Sequence, residues 1–184
     1  MKGHVFESAR LRIEPFTEKH LTERYVGWLA NPEVVRWSEQ RYVMHTLASC
    51  RAYYESFRRT PNMFFAIVAK EPSMGHIGNL NVYLDARHGT ADIGILLGER
   101  RAWGQGFGRE GWQVVMNALL DLGTLRKVTG GCAAENLAMV KIMRACGMAE
   151  DGRRVRHLVY DGRESDVVYY AAWAKPLDRA GGSP

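Results

Sequence analysis

The stretch RRAWGQGFGREGW, residues 100–112, places glycines at positions 104, 106, 108 and 111 among arginines. Glycine tolerates positive φ and lets a ligand approach the backbone closely. At the start of a helix, N–H groups clear of side chains can converge on an anion, and the helix dipole favours its negative charge. Arg101 and Arg109 would add cationic side chains. The spacing therefore predicts a phosphate cradle opening a helix. A dinucleotide-binding loop would need an early βαβ unit in a parallel sheet and an acidic residue about twenty positions on. Here Asp121 falls inside an apolar helical stretch. A P-loop would need Gly-Lys-Ser or Gly-Lys-Thr, and the sequence has neither.

The other reactive residue types say less. Cys50, Cys132 and Cys146 are far apart and lack the paired spacing of a zinc or redox site, so they read as reduced packing residues and no metal is expected. His76, His88 and His157 have no evident partner in sequence and read as structural. Lys and Arg exceed Asp and Glu by 25 to 20, a dispersed surplus without a basic stripe interleaved with aromatics. A nucleic-acid partner is not expected. Neither a bilayer-length apolar run nor a signal-peptide core is present, so the expected setting is cytoplasmic, with no membrane partner. At 184 residues, 46% apolar and 24% charged, the chain reads as one globular domain over residues 1–176, with 177–184 a flexible tail.

The elements that must position the loop follow from periodicity. Residues 5–14 alternate as a strand, and Leu21, Tyr25, Trp28 and Leu29 recur at helical spacing until Asn31-Pro32 breaks the pattern. A short helix is predicted at 32–37, a loop at 38–45, and a helix capped by Thr46 running to about Arg59. Three strands at 63–70, 75–85 and 90–99 form an antiparallel meander leading into the glycine loop. A helix over 107–122, a strand over 125–133 and a mostly apolar helix over 136–146 follow. The last helix is apolar nearly all round, which predicts heavy burial. Two strands, 154–160 and 165–173, are joined through Asp161-Gly162, a hairpin signal. The order predicts one mixed α/β (α+β) unit.

Arg101, Gly104 and Gly106 match the R-x-x-G-x-G/A signature of the GNAT acetyltransferase superfamily, between the strand and helix where that family carries it. AENLAMVKIMRACGM, 134–148, resembles the family's second motif, in which an Asn opens a helix ending in Gly and an apolar residue. The similarity spans roughly residues 5–174 and is nearest the RimJ/RimL-like branch. It implies a mostly antiparallel sheet splayed between its fourth and fifth strands, flanked by helices, with acetyl-CoA as co-substrate. The resemblance places the pyrophosphate on Arg101, Gly104, Gln105, Gly106, Phe107, Gly108 and Arg109, the pantetheine arm on backbone groups near Leu96 and Leu97, and a cofactor contact on Asn136.

Transfer to an amine needs a base to take the ammonium proton. Asp92, where related enzymes often carry a glutamate, is the first candidate; Glu39 and His45, in a polar loop expected beside the acceptor cleft, are the others. The family's thiolate acid has no counterpart, because Met143 and Met139 stand where relatives carry Tyr and Ser. Tyr160, Tyr169 and Tyr170 could reach in from the last hairpin, and solvent could also serve. Trp28, Trp37 and Arg41 are expected in the acceptor wall. The segment GWLANPEVVRWSEQR is similar to acetyltransferases acting on nucleotide-linked amino sugars; a protein N-terminus and a non-catalytic acyl-CoA sensor are the alternatives. Similar enzymes are often homodimers, and the carboxy-terminal strands offer an interface.

Overall fold

The protein is described by a computed structural model over residues 3–175. Eight strands form one sheet in the order β1-β2-β3-β4-β5-β6-β8-β7. They are β1 (Phe6–Glu7), β2 (Leu11–Pro15), β3 (Met63–Ala69), β4 (His76–Asp85), β5 (Thr90–Leu97), β6 (Lys127–Ala133), β7 (Ala149–Tyr160) and β8 (Arg163–Trp173). The helices are α1 (Glu23–Leu29), α2 (Pro32–Val35), α3 (Leu47–Arg58), α4 (Phe107–Leu120) and α5 (Leu137–Ala145). All pairings are antiparallel except that of β5 with β6. The predicted first strand is broken in two, because Ser8 N–H folds back to the Leu11 carbonyl at 3.0 Å. The splay expected between the fourth and fifth strands therefore lies between β5 and β6.

The helix predicted at 18–29 is also shorter than periodicity suggests. Glu18–His20 is a 3-10 turn capped by Thr17, and α1 restarts behind the Thr22 cap. Thr46 caps α3 as predicted, accepting from Ser49 N–H. At the β7–β8 hairpin, Asp161 and Gly162 both take positive φ, the geometry of the favoured two-residue turn. β7 begins at Ala149, earlier than predicted, and forms the exposed edge of the sheet.

Two apolar clusters cover opposite sheet faces. α4 buries Trp112, Val115 and Leu119 against Leu11, Ile13, Ile67 and Ile93, while α1–α3 enclose Phe16, Tyr25, Trp28, Leu29 and Cys50. Parallel pairing of β5 with β6 stops at Asp92 and Thr129, leaving Ile93–Leu97 and Gly130–Ala133 to diverge. Trp112 fills the base of this V. A Cβ at Gly130 would come 2.6 Å from the indole, so glycine is required there.

The expected burial of α5 is not observed. Met143 alone is buried among its residues, and Leu137 is 63% exposed. Ala138, Met139 and Ile142 instead face a cavity beside the V. Apolar lining of a ligand cavity and apolar core look alike in a sequence. Among the described residues no helix is long and apolar enough to cross a membrane. The expected tail at 177–184 lies outside the described residues.

Candidate active site

The glycine loop is built to hold backbone N–H groups outward. Gly104 and Gly106 take φ of +72° and +82°, a region that side chains disfavour, and Gly106 is the residue before α4. Arg10, unremarkable in sequence, clamps the loop from β2's side. It donates to the Gln105 carbonyl at 2.9 Å, lies over the Phe107 ring at 4.4 Å and pairs with Glu110 at 2.6 Å. Glu110 also accepts from Ser8 Oγ at 2.6 Å. On the other side the Trp103 indole donates to the Leu97 carbonyl at 2.9 Å.

A cavity of about 670 Å³ lies against this loop. Leu96, Leu97, Gly104, Gly106, Gly108, Arg109 and Asn136 line it, joined by Arg36 and Arg100. Arg100 pairs with Glu33 at 2.8 Å, whereas Arg36 and Arg109 make no ion pair among the described residues. Two unpaired guanidiniums beside a helix N-terminus suit a polyanion such as the pyrophosphate end of coenzyme A.

Three of the residues on which the resemblance places the pyrophosphate, Arg101, Gln105 and Phe107, do not line this cavity. Arg101 is committed to Glu99 at 3.2 Å and to the Ser73 carbonyl at 3.1 Å, so it staples the loop to the β3–β4 turn. Gln105 turns its amide to the Arg101 carbonyl. Phe107 is buried under Arg10 and offers the cavity no side chain.

Backbone direction along β5 refines the pantetheine contact. Gly98 N–H donates to Ile77 on the β4 side, and the Leu96 carbonyl packs against Gly78. By alternation, the backbone groups of Ile95 and Leu97 point into the V, and those of Leu96 toward β4. Ile95 was missed because alternation gives direction only once one hydrogen bond fixes its phase.

A second cavity, about 450 Å³, opens on the opposite sheet face between β4, β5 and the segment 37–53. His45, Tyr53, Asn79, Asn81, Asn136, Ser38, Gln40 and Ser49 contribute to its polar lining, and among the described residues no Asp, Glu, Lys or Arg does. His45 Nε2 lies 3.1 Å from the Gln40 carbonyl, which can only accept. Nε2 is therefore the donor in that bond. The Tyr53 hydroxyl, 3.1 Å from that of Tyr83, is pushed above the usual tyrosine range by burial and by Tyr83.

The candidate bases separate clearly. His45 lines the second cavity, whereas Glu39 is 67% exposed and faces Arg41 at 3.7 Å. Asp92 sits at the closed base of the V, four residues or about 13 Å along the strand from Leu96. It accepts from Thr129 Oγ1 at 2.8 Å and borders a separate surface hollow with Tyr83 and Lys127. Desolvation raises its carboxyl, and Thr129 partly offsets this. Asp92 thus closes the strand pair outside the acceptor cavity.

Of the expected acceptor wall, Trp37 lines both cavities. Trp28 is only 7% exposed and stands between His76, at 4.9 Å, and Gly98, where any Cβ would fall inside the indole. It is a packing pillar. Arg41 lies 3.8 Å over Tyr160 and donates to the Arg36 carbonyl and the Tyr42 hydroxyl, clamping the loop to the last hairpin. Tyr160, Tyr169 and Tyr170 line neither cavity, and Met143 is fully buried. Burial pushes the Cys132 and Cys146 thiols up to about 11, the reverse of a cysteine nucleophile.

The two cavities share six residues: Trp37, Ser38, Ile95, Leu96, Asn136 and Met139. Asn136 stands at this junction while its Oδ1 caps α5 by accepting from Met139 N–H at 3.2 Å. A cavity bordered by arginines and the α4 N-terminus and a pocket with no Asp, Glu, Lys or Arg among its described residues thus meet through the gap in one sheet. The sequence model of the acetyltransferase (GNAT) domain matches residues 10–149. The chain belongs to the GNAT acetyltransferase family. Similar solved structures include RimL, a ribosomal L7/L12 alpha-N-protein acetyltransferase in complex with coenzyme A, at 17% identity and TM-score 0.80, covering 92% of this chain and 98% of that one. A spermidine N-acetyltransferase from Vibrio cholerae in complex with CoA and spermine aligns at 18% identity and TM-score 0.78, over 91% and 97% of the two chains. The microcin C7 self-immunity acetyltransferase MccE, in complex with acetyl-CoA and AMP, aligns at 14% and 0.77, over 90% and 93%. At these identities the structural likeness shows the GNAT fold alone. A curated relative, an uncharacterized protein of Methanocaldococcus jannaschii, is 21% identical over 167 residues. The chain spans 32% of that protein's length.

Proposed function

We propose that this GNAT domain transfers an acetyl group directly from acetyl-CoA to the amine of a hydroxyl-bearing small molecule without a second ammonium group, such as a nucleotide-linked amino sugar. Among the described residues no Asp, Glu, Lys or Arg lines the second cavity, and this observation carries the reading. A polyamine held there would find no carboxylate to offset its remaining charges. The amide and hydroxyl lining suits a polyol.

Within the proposal each residue has one task. Gly104, Gly106 and Gly108 leave the α4 N-terminus open to phosphate, with Arg109 and Arg36 beside it. Ile95 and Leu97 offer backbone groups along the V, and an N–H there can stabilise oxygen charge as the thioester carbonyl is attacked. When bound, acetyl-CoA supplies an activated acyl group and a thiolate leaving group. His45 Nδ1 takes the ammonium proton of the acceptor. With Tyr160, Tyr169 and Tyr170 outside both cavities, thiolate protonation falls to solvent.

That same displacement of the tyrosines favours the second reading, an acyl-CoA-binding protein without transfer. The deciding experiment incubates purified protein with acetyl-CoA and a panel of amino sugars, nucleotide-linked amino sugars, N-terminal peptides and polyamines, followed by mass spectrometry. Acetyl gain on sugars supports the proposal. Gain confined to peptides or polyamines overturns the acceptor assignment, and coenzyme A binding without any gain supports the second reading.

A further inference from the structure

The floor of the acceptor cavity contains a polar side chain that neither the coenzyme contacts nor the proposed base explains. Asn79 on β4 is only 5% exposed, yet it lines the cavity. Its Oδ1 lies 3.0 Å from His76 Nε2, which is also 3.0 Å from the Gly78 carbonyl. A carbonyl can only accept, so His76 Nε2 must carry a proton, and the atom of Asn79 facing it must be oxygen. The flip state of the amide is thereby fixed by chemistry.

Nδ2 of Asn79 has no hydrogen-bond partner among the described residues. No side-chain nitrogen or oxygen there is both fully buried and unpartnered, so this NH₂ group is reachable from the cavity. His76 cannot easily let go. It is packed against Trp28 at 4.9 Å and His20 at 5.1 Å. Burial also lowers its imidazole to about 4, so the ring stays neutral near neutrality with its single proton on Nε2. Two residues along the same face, the Asn81 Oδ1 lies over Gly94, 2.6 Å from where a Cβ would stand. A donor and an acceptor thus sit about 7 Å apart along one strand.

We infer that Asn79 is a specificity-determining donor that reads a hydroxyl or carbonyl oxygen of the acceptor near the reacting amine, and that His76 is its positioning residue. The inference rests on the acceptor assignment above and sharpens it. A second ammonium at this point would meet the Asn79 NH₂ donor and no carboxylate among the described residues of the cavity, so diamines are rejected by the same group that holds an amino alcohol.

The test uses the full chain loaded with coenzyme A, ¹⁵N-labelled at asparagine side chains, with the Asn79 NH₂ signals assigned by their loss in Asn79→Ala. Glucosamine is expected to shift these signals and putrescine to leave them unmoved. His76→Leu is expected to abolish the glucosamine shift, while His76→Gln, which keeps a donor near the Nε2 position, retains it. Signals that ignore glucosamine, that respond equally to putrescine, or that behave in folded His76→Leu as in wild type overturn the inference. Acetyl transfer measured in parallel on the same proteins, with acetyl-CoA in place of coenzyme A, separates the two ideas. Transfer to glucosamine with unmoved Asn79 signals refutes the role of Asn79 while sparing the enzyme reading, and a selective shift without transfer does the reverse. Where transfer occurs, Asn79→Ala is expected to raise the acceptor KM about 10- to 100-fold while kcat and the acetyl-CoA KM stay within about twofold. An unchanged acceptor KM overturns it.

Discussion

The proposed coenzyme cavity and the proposed acceptor cavity meet through one gap in one sheet, yet they are built from different materials. The first is made of backbone and cations: positive-φ glycines, a helix N-terminus, Arg36, Arg100 and Arg109. The second is made of side chains drawn from many separate segments, His45, Tyr53, Asn79 and Asn81 among its polar ones, with no Asp, Glu, Lys or Arg among its described residues. A common polyanionic ligand can be gripped by conformation and charge, whereas a particular acceptor must be read group by group. Trp112, packed against Gly130 where the strands part, lines the second cavity and stands at the base of the V that joins the two.

Trp112→Ala is the largest break in this arrangement. Removing a fully buried indole from the base of the V should cost about 3–5 kcal/mol, seen as a fall in thermal midpoint with loss of both coenzyme and acceptor binding. Loss of one binding function alone would show that the cavities do not share this support.

Acid acts on the framework behind the acceptor side. Glu14 is 8% exposed; desolvation would raise its carboxyl, but hydrogen bonds from Lys19, Arg12 and His20 hold it at about 2. A depressed folded pKa means that the unfolded chain binds the proton first as pH falls. The stabilisation is therefore complete above about 4.5 and is lost toward 2, amounting to about 3 kcal/mol. Glu14→Gln should flatten that part of the stability–pH curve in urea titrations. An unchanged slope between pH 4.5 and 2 would refute the assignment.

Gly106→Ala tests the backbone half of the comparison. A Cβ at φ +82° costs about 1–2 kcal/mol, which should appear as weaker coenzyme A binding in calorimetry with little change in acceptor KM. Equal loss on both sides would blur the distinction. Ionic strength sharpens it: going from about 0.1 to 1 M salt shortens screening from about 10 to 3 Å, so coenzyme affinity should fall more than that of an amino sugar.

The smallest effect separates two arginines of one motif. Arg109→Ala should weaken coenzyme A binding about 2- to 5-fold, and Arg101→Ala should act through loop order, visible as faster amide exchange at 99–106. A larger binding loss at Arg101→Ala than at Arg109→Ala would return Arg101 to the phosphates.

The sequence by itself determined the elements and the coenzyme loop. Gly104 and Gly106 were legible because positive φ and close ligand approach are properties of the residue type, readable one position at a time. The meander, the Thr46 cap and the Asp161-Gly162 turn were legible for the same local reason. Tertiary structure decided the rest. Tyr53, Asn79 and Asn81 become a site only when α3 packs over β4, and nothing in their own sequence neighbourhoods says so. Trp28 and Arg41 looked like acceptor residues because aromatic and cationic side chains serve packing and recognition equally well. Asp92 has a plausible strand position, but only the point at which β5 and β6 part shows that it closes the V. Periodicity states which face a residue takes, while the depth of that face and what stands opposite it are set by the fold.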